Sequence, residues 1–206
     1  AQKTKYKDIE SPFPMRDSGH GFCLYMPCKR LYMDAYPWDE KIDFFAEHPE
    51  WFSMTRDGKR TDRMQLCFSN ADMRKAFTKR VLERCRRVGG NGVLTIGAND
   101  VPGAFCWCPA CVALQKKYET PSAPYWDYLP ELCAAVAREY PEIRIETLAY
   151  RKEQSENFPK GIDKFPDNFI CDFAPVDDDQ GHWIGGERNE KTLDNLRKWC
   201  KACKNV

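Results

Sequence analysis

The sequence predicts an α/β domain built on a parallel sheet, and three observations carry that expectation. Apolar segments of strand character alternate with segments of helical periodicity, the pattern of a sheet covered by helices. The strands are too apolar to leave a face in water, Val93-Leu94-Thr95-Ile96-Gly97-Ala98 being the clearest. The length, 206 residues, is enough for one core, since chains of this size bury roughly 70% of their unfolded surface. A (β/α)8 barrel and an open doubly wound sheet both fit the alternation. A complete barrel takes about 250 residues, and only four or five strands are legible. The expected architecture is therefore a partial (β/α)8 barrel completed by the remainder of a longer chain, with the open doubly wound sheet as alternative.

Residues 1–17 are polar and proline-broken and read as an irregular arm, leaving 18–206 as the α/β domain. An apolar stretch over 22–26 follows, then a short helix over 38–45, a turn at Arg56-Asp57-Gly58-Lys59 and a short strand over 64–68. Asn70 has the chemistry of a helix N-cap. Met73, Phe77, Val81, Cys85 and Val88 then recur at helical spacing until Gly89-Gly90. After the strand over 93–98 comes Asn99-Asp100. A second long helix starts near Ser122, with Pro124 in its first turn, and aligns Trp126, Leu129, Cys133, Val136 and Tyr140. Pro130 inside it should kink or restart it. Strands over 143–150 and 168–173 precede a last helix over 192–203, with Leu193, Leu196, Cys200 and Cys203 in line.

Composition excludes several function classes. With 32 basic against 31 acidic side chains the net charge is +1, so no basic excess points to nucleic acid. No apolar run approaches the roughly 18 residues of a spanning helix, so no membrane partner is expected. There is no Gly-x-Ser-x-Gly elbow, no His-Glu-x-x-His and no phosphate-cradling glycine loop, and histidines number only three.

Strand carboxyl ends carry the sites of parallel α/β folds. Alternation in the 143–150 strand puts Ile143, Ile145, Thr147 and Ala149 toward the helices and Glu146 and Tyr150 on the opposite face. In the preceding strand Thr95, Gly97 and Asn99 share that inner face, with Asp100 just beyond. Two carboxylates from neighbouring strands are what glycoside hydrolysis requires, one as acid and the other as nucleophile or base. Asp100 and Glu146 are the candidates, against plainer readings as a turn residue and a structural ion-pair partner. No cofactor is needed for that chemistry.

Eleven cysteines are an odd number spread along the chain, which argues against a complete disulfide framework. Cys106-Trp107-Cys108-Pro109-Ala110-Cys111 brings three soft ligands onto a tight loop, and a thiolate-bound structural zinc needs four. Cys67 is the first choice for the fourth ligand and His20 the second. Competing readings are one disulfide plus free thiols, or a redox pair at Cys108 and Cys111. Cys85, Cys133, Cys171, Cys200 and Cys203 follow apolar stripes and read as core. Asp177-Asp178-Asp179 reads as a solvated acidic loop, and Gly185-Gly186 after Trp183 as a loop.

His48-Pro49-Glu50-Trp51-Phe52, Asp57-Gly58-Lys59-Arg60, Gln65-Leu66-Cys67, Asn99-Asp100, the Cys-x-Cys-Pro-x-Cys run and Thr147-Leu148-Ala149-Tyr150 occur in one order. That ordered set resembles a bacterial domain family of unknown function, found in large, often secreted proteins of carbohydrate-degrading bacteria. The family looks like a glycoside-hydrolase-type (β/α)8 barrel related in style to α-glucuronidases and hexosaminidases. The resemblance implies a carbohydrate cleft at the strand ends, a longer parent chain and a periplasmic or extracellular location, with the cytoplasm as alternative. Asp100 and Glu146 would be the catalytic carboxylates. Asn99, Tyr150, Trp107, His20 and Asp172 would bind substrate, Tyr150 and Trp107 by stacking on sugar. The chain departs from the family's pattern at Ala98, where glutamine is common, and at Asp172, where arginine is common. A different class of function also fits: a non-catalytic binding or structural module whose cysteine loop zinc stabilises.

Overall fold

The computed structural model describes residues 20–30, 42–101 and 105–206; the arm expected over 1–17 and the start of the helix expected from Trp38 lie outside them. Among the described residues, helices α1 (Phe22–Tyr25), α2 (Phe44–Glu47), α3 (Ala71–Arg87), α4 (Pro109–Tyr118), α5 (Ala123–Glu139) and α6 (Glu190–Ala202) surround one open sheet. The sheet contains β1 (Asn91–Thr95), β2 (Glu142–Tyr150) and β3 (Phe169–Ala174), parallel and adjacent in chain order. Single parallel bridges flank it on both sides, His20 to Gly97 and Asn205 to Ile170. The class is mixed α/β with a parallel sheet, as expected, and the described sheet is not closed.

The strand expected over 64–68 does not form. Leu66 makes one antiparallel bridge with Phe52, while Cys67 N–H donates to Trp51 O at 2.8 Å and the Gln65 side chain turns to Asn99. Ser53 N–H donates to Gln65 O at 3.0 Å on the other side of the bridge, and the ladder stops there, so the stretch forms a bridge rather than a strand.

α3 follows its sequence signals. Asn70 accepts from the N–H groups of Asp72 and Met73, both at 3.0 Å. At the other end Gly89 and Gly90 take positive φ, 81° and 73°, which only glycine adopts without strain. Their N–H groups close on Arg86 O and Cys85 O. α5 begins after Ser122 and runs through Pro130 without a break. Pro130 is exposed, and the missing bond is outweighed by packing: Trp126, Leu129, Cys133 and Val136 are fully buried on both sides of it.

Tyr125 and Trp126 join two aromatic groups into one core. Tyr125 packs with Phe22 and Phe68 at ring separations of 4.7 and 5.0 Å; Trp126 packs with Trp199 at 5.1 Å. Trp199 sets the rotation of α6. The expected stripe of Leu193, Leu196, Cys200 and Cys203 is displaced by one residue, to Thr192, Asn195, Trp199 and Ala202. One residue is about 100° of helix, enough to leave Cys200 exposed, contrary to its reading as core, while Cys203 stays buried. Two satisfied contacts favour this rotation. The Trp199 indole donates to Glu156 O at 2.8 Å, and Asn195 accepts from Phe158 N–H at 2.8 Å while its amide donates to Glu156 O.

Trp199→Ala should therefore lower unfolding free energy in urea by about 3–5 kcal/mol, the range for buried tryptophan truncations. A loss below about 1 kcal/mol would show that α6 is not packed on this core.

Candidate metal centre and the strand-end edge

Three chain segments assemble the cysteine cluster. Cys67 follows the Phe52–Leu66 bridge, which fixes its backbone. The loop past the end of β1 is pinned to the same region by Trp107 N–H donating to Met54 O at 2.8 Å. Cys108 is extended at the N-cap of α4, Pro109 starts the helix, and Cys111 sits in its first turn. This extended-to-helix switch converges three close cysteines on one point. α4 was not foreseen, although Pro109 at the first helical position followed by a breaker-free run is its usual sign.

All four sulfurs, of Cys67, Cys106, Cys108 and Cys111, lie within 4.8 Å of one another and all four residues are buried. Cys67 Sγ is 3.6 Å from Cys106 Sγ, 3.6 Å from Cys108 Sγ and 3.9 Å from Cys111 Sγ. A tetrahedron with Zn–S bonds of about 2.3 Å has edges of about 3.8 Å, so the separations are those of a four-thiolate site. They are far from the roughly 2.05 Å of a disulfide. His20, the second choice as ligand, lies elsewhere, at Ala98 O.

The surroundings suit an anionic cluster. Met54 N–H and Cys108 N–H point at Cys106 Sγ at 3.2 and 3.4 Å, and the Arg60 guanidinium approaches it at 3.6 Å. Ser69 Oγ lies 3.1 Å from Cys111 Sγ and 3.4 Å from Cys108 Sγ. Hydrogen bonds from Cys106 and Cys111 hold the Cys67 thiol far below its ordinary range. Cys111, hydrogen-bonded to Cys106 and Cys67 and desolvated, is pushed far above its own. The cluster thus favours one thiolate, and a divalent cation is what lets all four ionise together. Four thiolates complete a tetrahedron and leave no position for water or substrate, so such an ion is structural. A redox role for Cys108 and Cys111 needs an exposed thiol, whereas they are 6% and 0% exposed. Elsewhere burial pushes the thiols of Cys85 and Cys133 up to about 12, as inert core cysteines.

At the sheet, the two faces divide as alternation predicts. Leu94, Ile143, Ile145, Ala149, Phe169 and Cys171 are buried in the core. Thr147 shares their face: its hydroxyl and that of Tyr125 lie 2.9 Å apart and both reach Ile96 O. The other face carries Thr95, Glu146, Leu148, Tyr150, Ile170 and Asp172, in register across β1 to β3. Glu146 is 2% exposed and accepts from Thr95 Oγ1 at 2.9 Å, four residues before the end of β2. Asp172, half-buried, pairs with Leu148. Asp100 is exposed beyond the end of β1.

His20 and Tyr150 meet at the carboxyl ends of the strands, ring centroids 4.8 Å apart and edge-on. His20 Nδ1 is 3.0 Å from Ala98 O; a carbonyl only accepts, so Nδ1 bears the proton and Nε2 is the acceptor of the neutral ring. The Arg151 guanidinium lies over the Tyr150 ring at 5.2 Å, and Arg151 itself takes φ 54°, an uncommon value for a non-glycine residue. Trp107 carries the Arg56 guanidinium at 4.3 Å. Asn99 is buried with its amide committed: Oδ1 accepts from Cys23 N–H at 2.9 Å and Nδ2 donates to Met64 O at 3.0 Å. Its main chain exchanges two bonds with the Gln65 side chain. Asn99 therefore orients the turn leading to Asp100.

One carboxyl escaped the sequence. Glu156, just after β2, is 1% exposed, and its Oε2 has no hydrogen-bond partner. Burial, assisted by Asp177 and Asp178 and opposed by Lys152, pushes it above the usual carboxylate range. Only tertiary packing against Asn195 and Trp199 marks it; no local pattern does.

Two outcomes follow from these environments. Protein purified without added zinc should carry about one zinc per chain by elemental analysis, and Cys111→Ser should lose it and melt earlier; less than about a tenth of an equivalent would refute the site. A folded-state pKa raised above the unfolded one favours the fold at low pH, and that advantage is lost as pH rises through the carboxylate range. Glu156→Gln should therefore melt above the parent at about pH 7 and converge with it near about pH 4. A constant difference would refute the assignment.

Residues 20–206 match the family described as Domain of unknown function (DUF4838). No curated protein matches the chain. Among solved structures, the beta-N-acetylhexosaminidase from Bacteroides fragilis NCTC 9343 is similar at 15% identity and a TM-score of 0.37, over 67% of this chain and 24% of that one. The chain thus spans about a quarter of that enzyme's length. With its match running from His20, at the edge of the sheet, to the last residue, the chain belongs to the DUF4838 family of unknown function.

Proposed function

We propose that the chain is part of a glycoside-hydrolase-like (β/α)8 domain that acts on, or binds, a polysaccharide or glycoconjugate at the carboxyl edge of its parallel sheet. The observation that carries this reading is the arrangement of that edge. Strands follow one another in chain order, as in a singly wound barrel, where a doubly wound sheet reverses its order. Parallel bridges at both flanks extend the same order. The face away from the buried aliphatic set bears Thr95, Glu146, Asp172 and Tyr150, a polar lining suited to sugar hydroxyls.

In this reading Asp100 is the leading acid or base and Glu146 the second carboxylate. Asn99 positions the Asp100 turn. Tyr150 and Trp107 offer stacking faces, His20 offers Nε2, and Asp172 lines the inner face. The four-thiolate zinc is structural: it anchors the loop after β1 to the Phe52–Leu66 region and so holds one wall of the edge. The protein would work outside the cytoplasm, in the periplasm or beyond the cell.

A purely binding role is the second reading, and the burial of Glu146 under Thr95 favours it, since a catalytic carboxylate must meet substrate. Turnover of a panel of aryl glycosides separates the two. Asp100→Asn should cut kcat by about 10²- to 10⁴-fold with an unchanged melting temperature, because Asp100 is exposed. Unchanged turnover in Asp100→Asn would refute its role, and saccharide binding without turnover by the parent would favour the binding module.

A further inference from the structure

The loop between β3 and α6 presents an aromatic ring that neither the core nor the proposed carboxylates use. Trp183 is 75% exposed; among the described residues the other exposed large apolar side chains are Val176 at 38% and Val206 at 49%. A single exposed ring is ordinary on a protein surface, so what sets this one apart is how the chain holds it. The ring lies on the backbone of Gly185 and Gly186: a Cβ at Gly185 would overlap the six-membered ring, and one at Gly186 would stand 3.4 Å from Cδ1 and Nε1. Gly185 is what lets the ring lie against the chain, while a side chain at Gly186 would meet it at ordinary contact distance.

The loop beneath is pinned rather than loose. Asn189, 1% exposed, donates through Nδ2 to Asp179 O, His182 O and Trp183 O at 3.0, 3.1 and 3.2 Å, and its Oδ1 accepts from Asp179 N–H at 2.8 Å. Gly186 N–H returns to Trp183 O at 3.0 Å. Asp179 holds His182 and Arg188, each at 3.1 Å from its carboxylate, and these two pull its carboxyl below the usual range. A buried amide bonding three main-chain carbonyls of one loop is preorganisation, which lowers the ordering cost of binding.

We propose that Trp183 is a sugar-stacking subsite, a flat platform that takes the C–H face of a pyranose ring at the carboxyl edge of β3; the proposal rests on the carbohydrate reading above and names the ligand face of that same edge. An exposed ring on a loop that also carries the polar side chains of Asp179, His182 and Arg188 fits a pyranose, whose faces are apolar and whose edges carry hydroxyls. A protein partner would need a wider apolar centre around the ring, and the other exposed large apolar side chain of the loop between β3 and α6 is Val176, 38% exposed and seven residues before Trp183.

The test is affinity electrophoresis of the chain through native gels containing soluble xylan, mixed-linkage β-glucan or glycol chitin. The parent should be retarded in at least one gel. Trp183→Ala should weaken that binding about tenfold or more at an unchanged melting temperature, since the loop bonds run through main-chain carbonyls. Trp183→Phe should stay within about threefold, and Gly185→Val, which keeps the indole but denies it the glycine platform, should bind as poorly as Trp183→Ala. Parent retardation undiminished in Trp183→Ala would overturn the subsite and leave the carbohydrate reading standing. A parent that is retarded in none of the gels would overturn the carbohydrate reading and the subsite with it. Full retardation of Gly185→Val would overturn the glycine support.

Discussion

Four cysteine sulfurs brought to tetrahedral spacing in a buried pocket impose the strongest single constraint on this molecule. Thiols packed at 3.6–3.9 Å cannot all ionise without a cation, and desolvation makes unpaired thiolates costly. The cluster answers with directed help from Arg60, Ser69 and the N–H groups of Met54 and Cys108. Its position gives it reach. It ties the region around Cys67 to the loop that leaves β1, while two residues before Cys67 the Gln65 side chain grips Asn99 through both main-chain polar groups. The turn carrying Asp100 is therefore located by bonds on one side and by sulfur packing on the other.

The sheet separates stability from chemistry by face and by end. Toward the helices it contributes aliphatic side chains and Cys171 to an aromatic core that Tyr125 and Trp126 unite. On the other face it carries hydroxyl and carboxyl groups in register. At the carboxyl end the loops add rings: Tyr150 between His20 and Arg151, Trp107 under Arg56, and Trp183 on its glycines. Rings held against cations or backbone at the end of a polar sheet face have a common physical logic. Each ring presents a flat apolar face beside polar groups.

Long-period signals were legible in the sequence, and signals that depend on partners were not. Asn70, Gly89 and Gly90 bounded α3 because caps act within one turn. The two faces of β2 followed from strict alternation. Cys67 was reachable as the fourth ligand from order along the chain. By contrast, α6 turned by one residue because the Trp199 indole and the Asn195 amide found Glu156 O, a group 43 and 39 residues back along the chain. The 64–68 stretch looked like a strand and became a single bridge, its partner segment giving it only the bonds around Phe52. Pro130 looked like a break and was overruled by packing on both sides. Glu156 looked like any acidic loop residue until its burial placed it.

By itself the sequence determined the α/β class, the alternation of faces, the caps of α3 and the three close cysteines of the ion-binding loop, with Cys67 ahead of His20 as the fourth, because each is written in residue type and short spacing or order along the chain. Tertiary structure alone decided which apolar stripe α6 buries, that Asn99 is spent inside the protein and that Cys200 faces water. The reason is physical: hydrogen bonds and buried area are settled between segments distant in sequence, and a side chain's role there depends on which partner reaches it first at acceptable geometry.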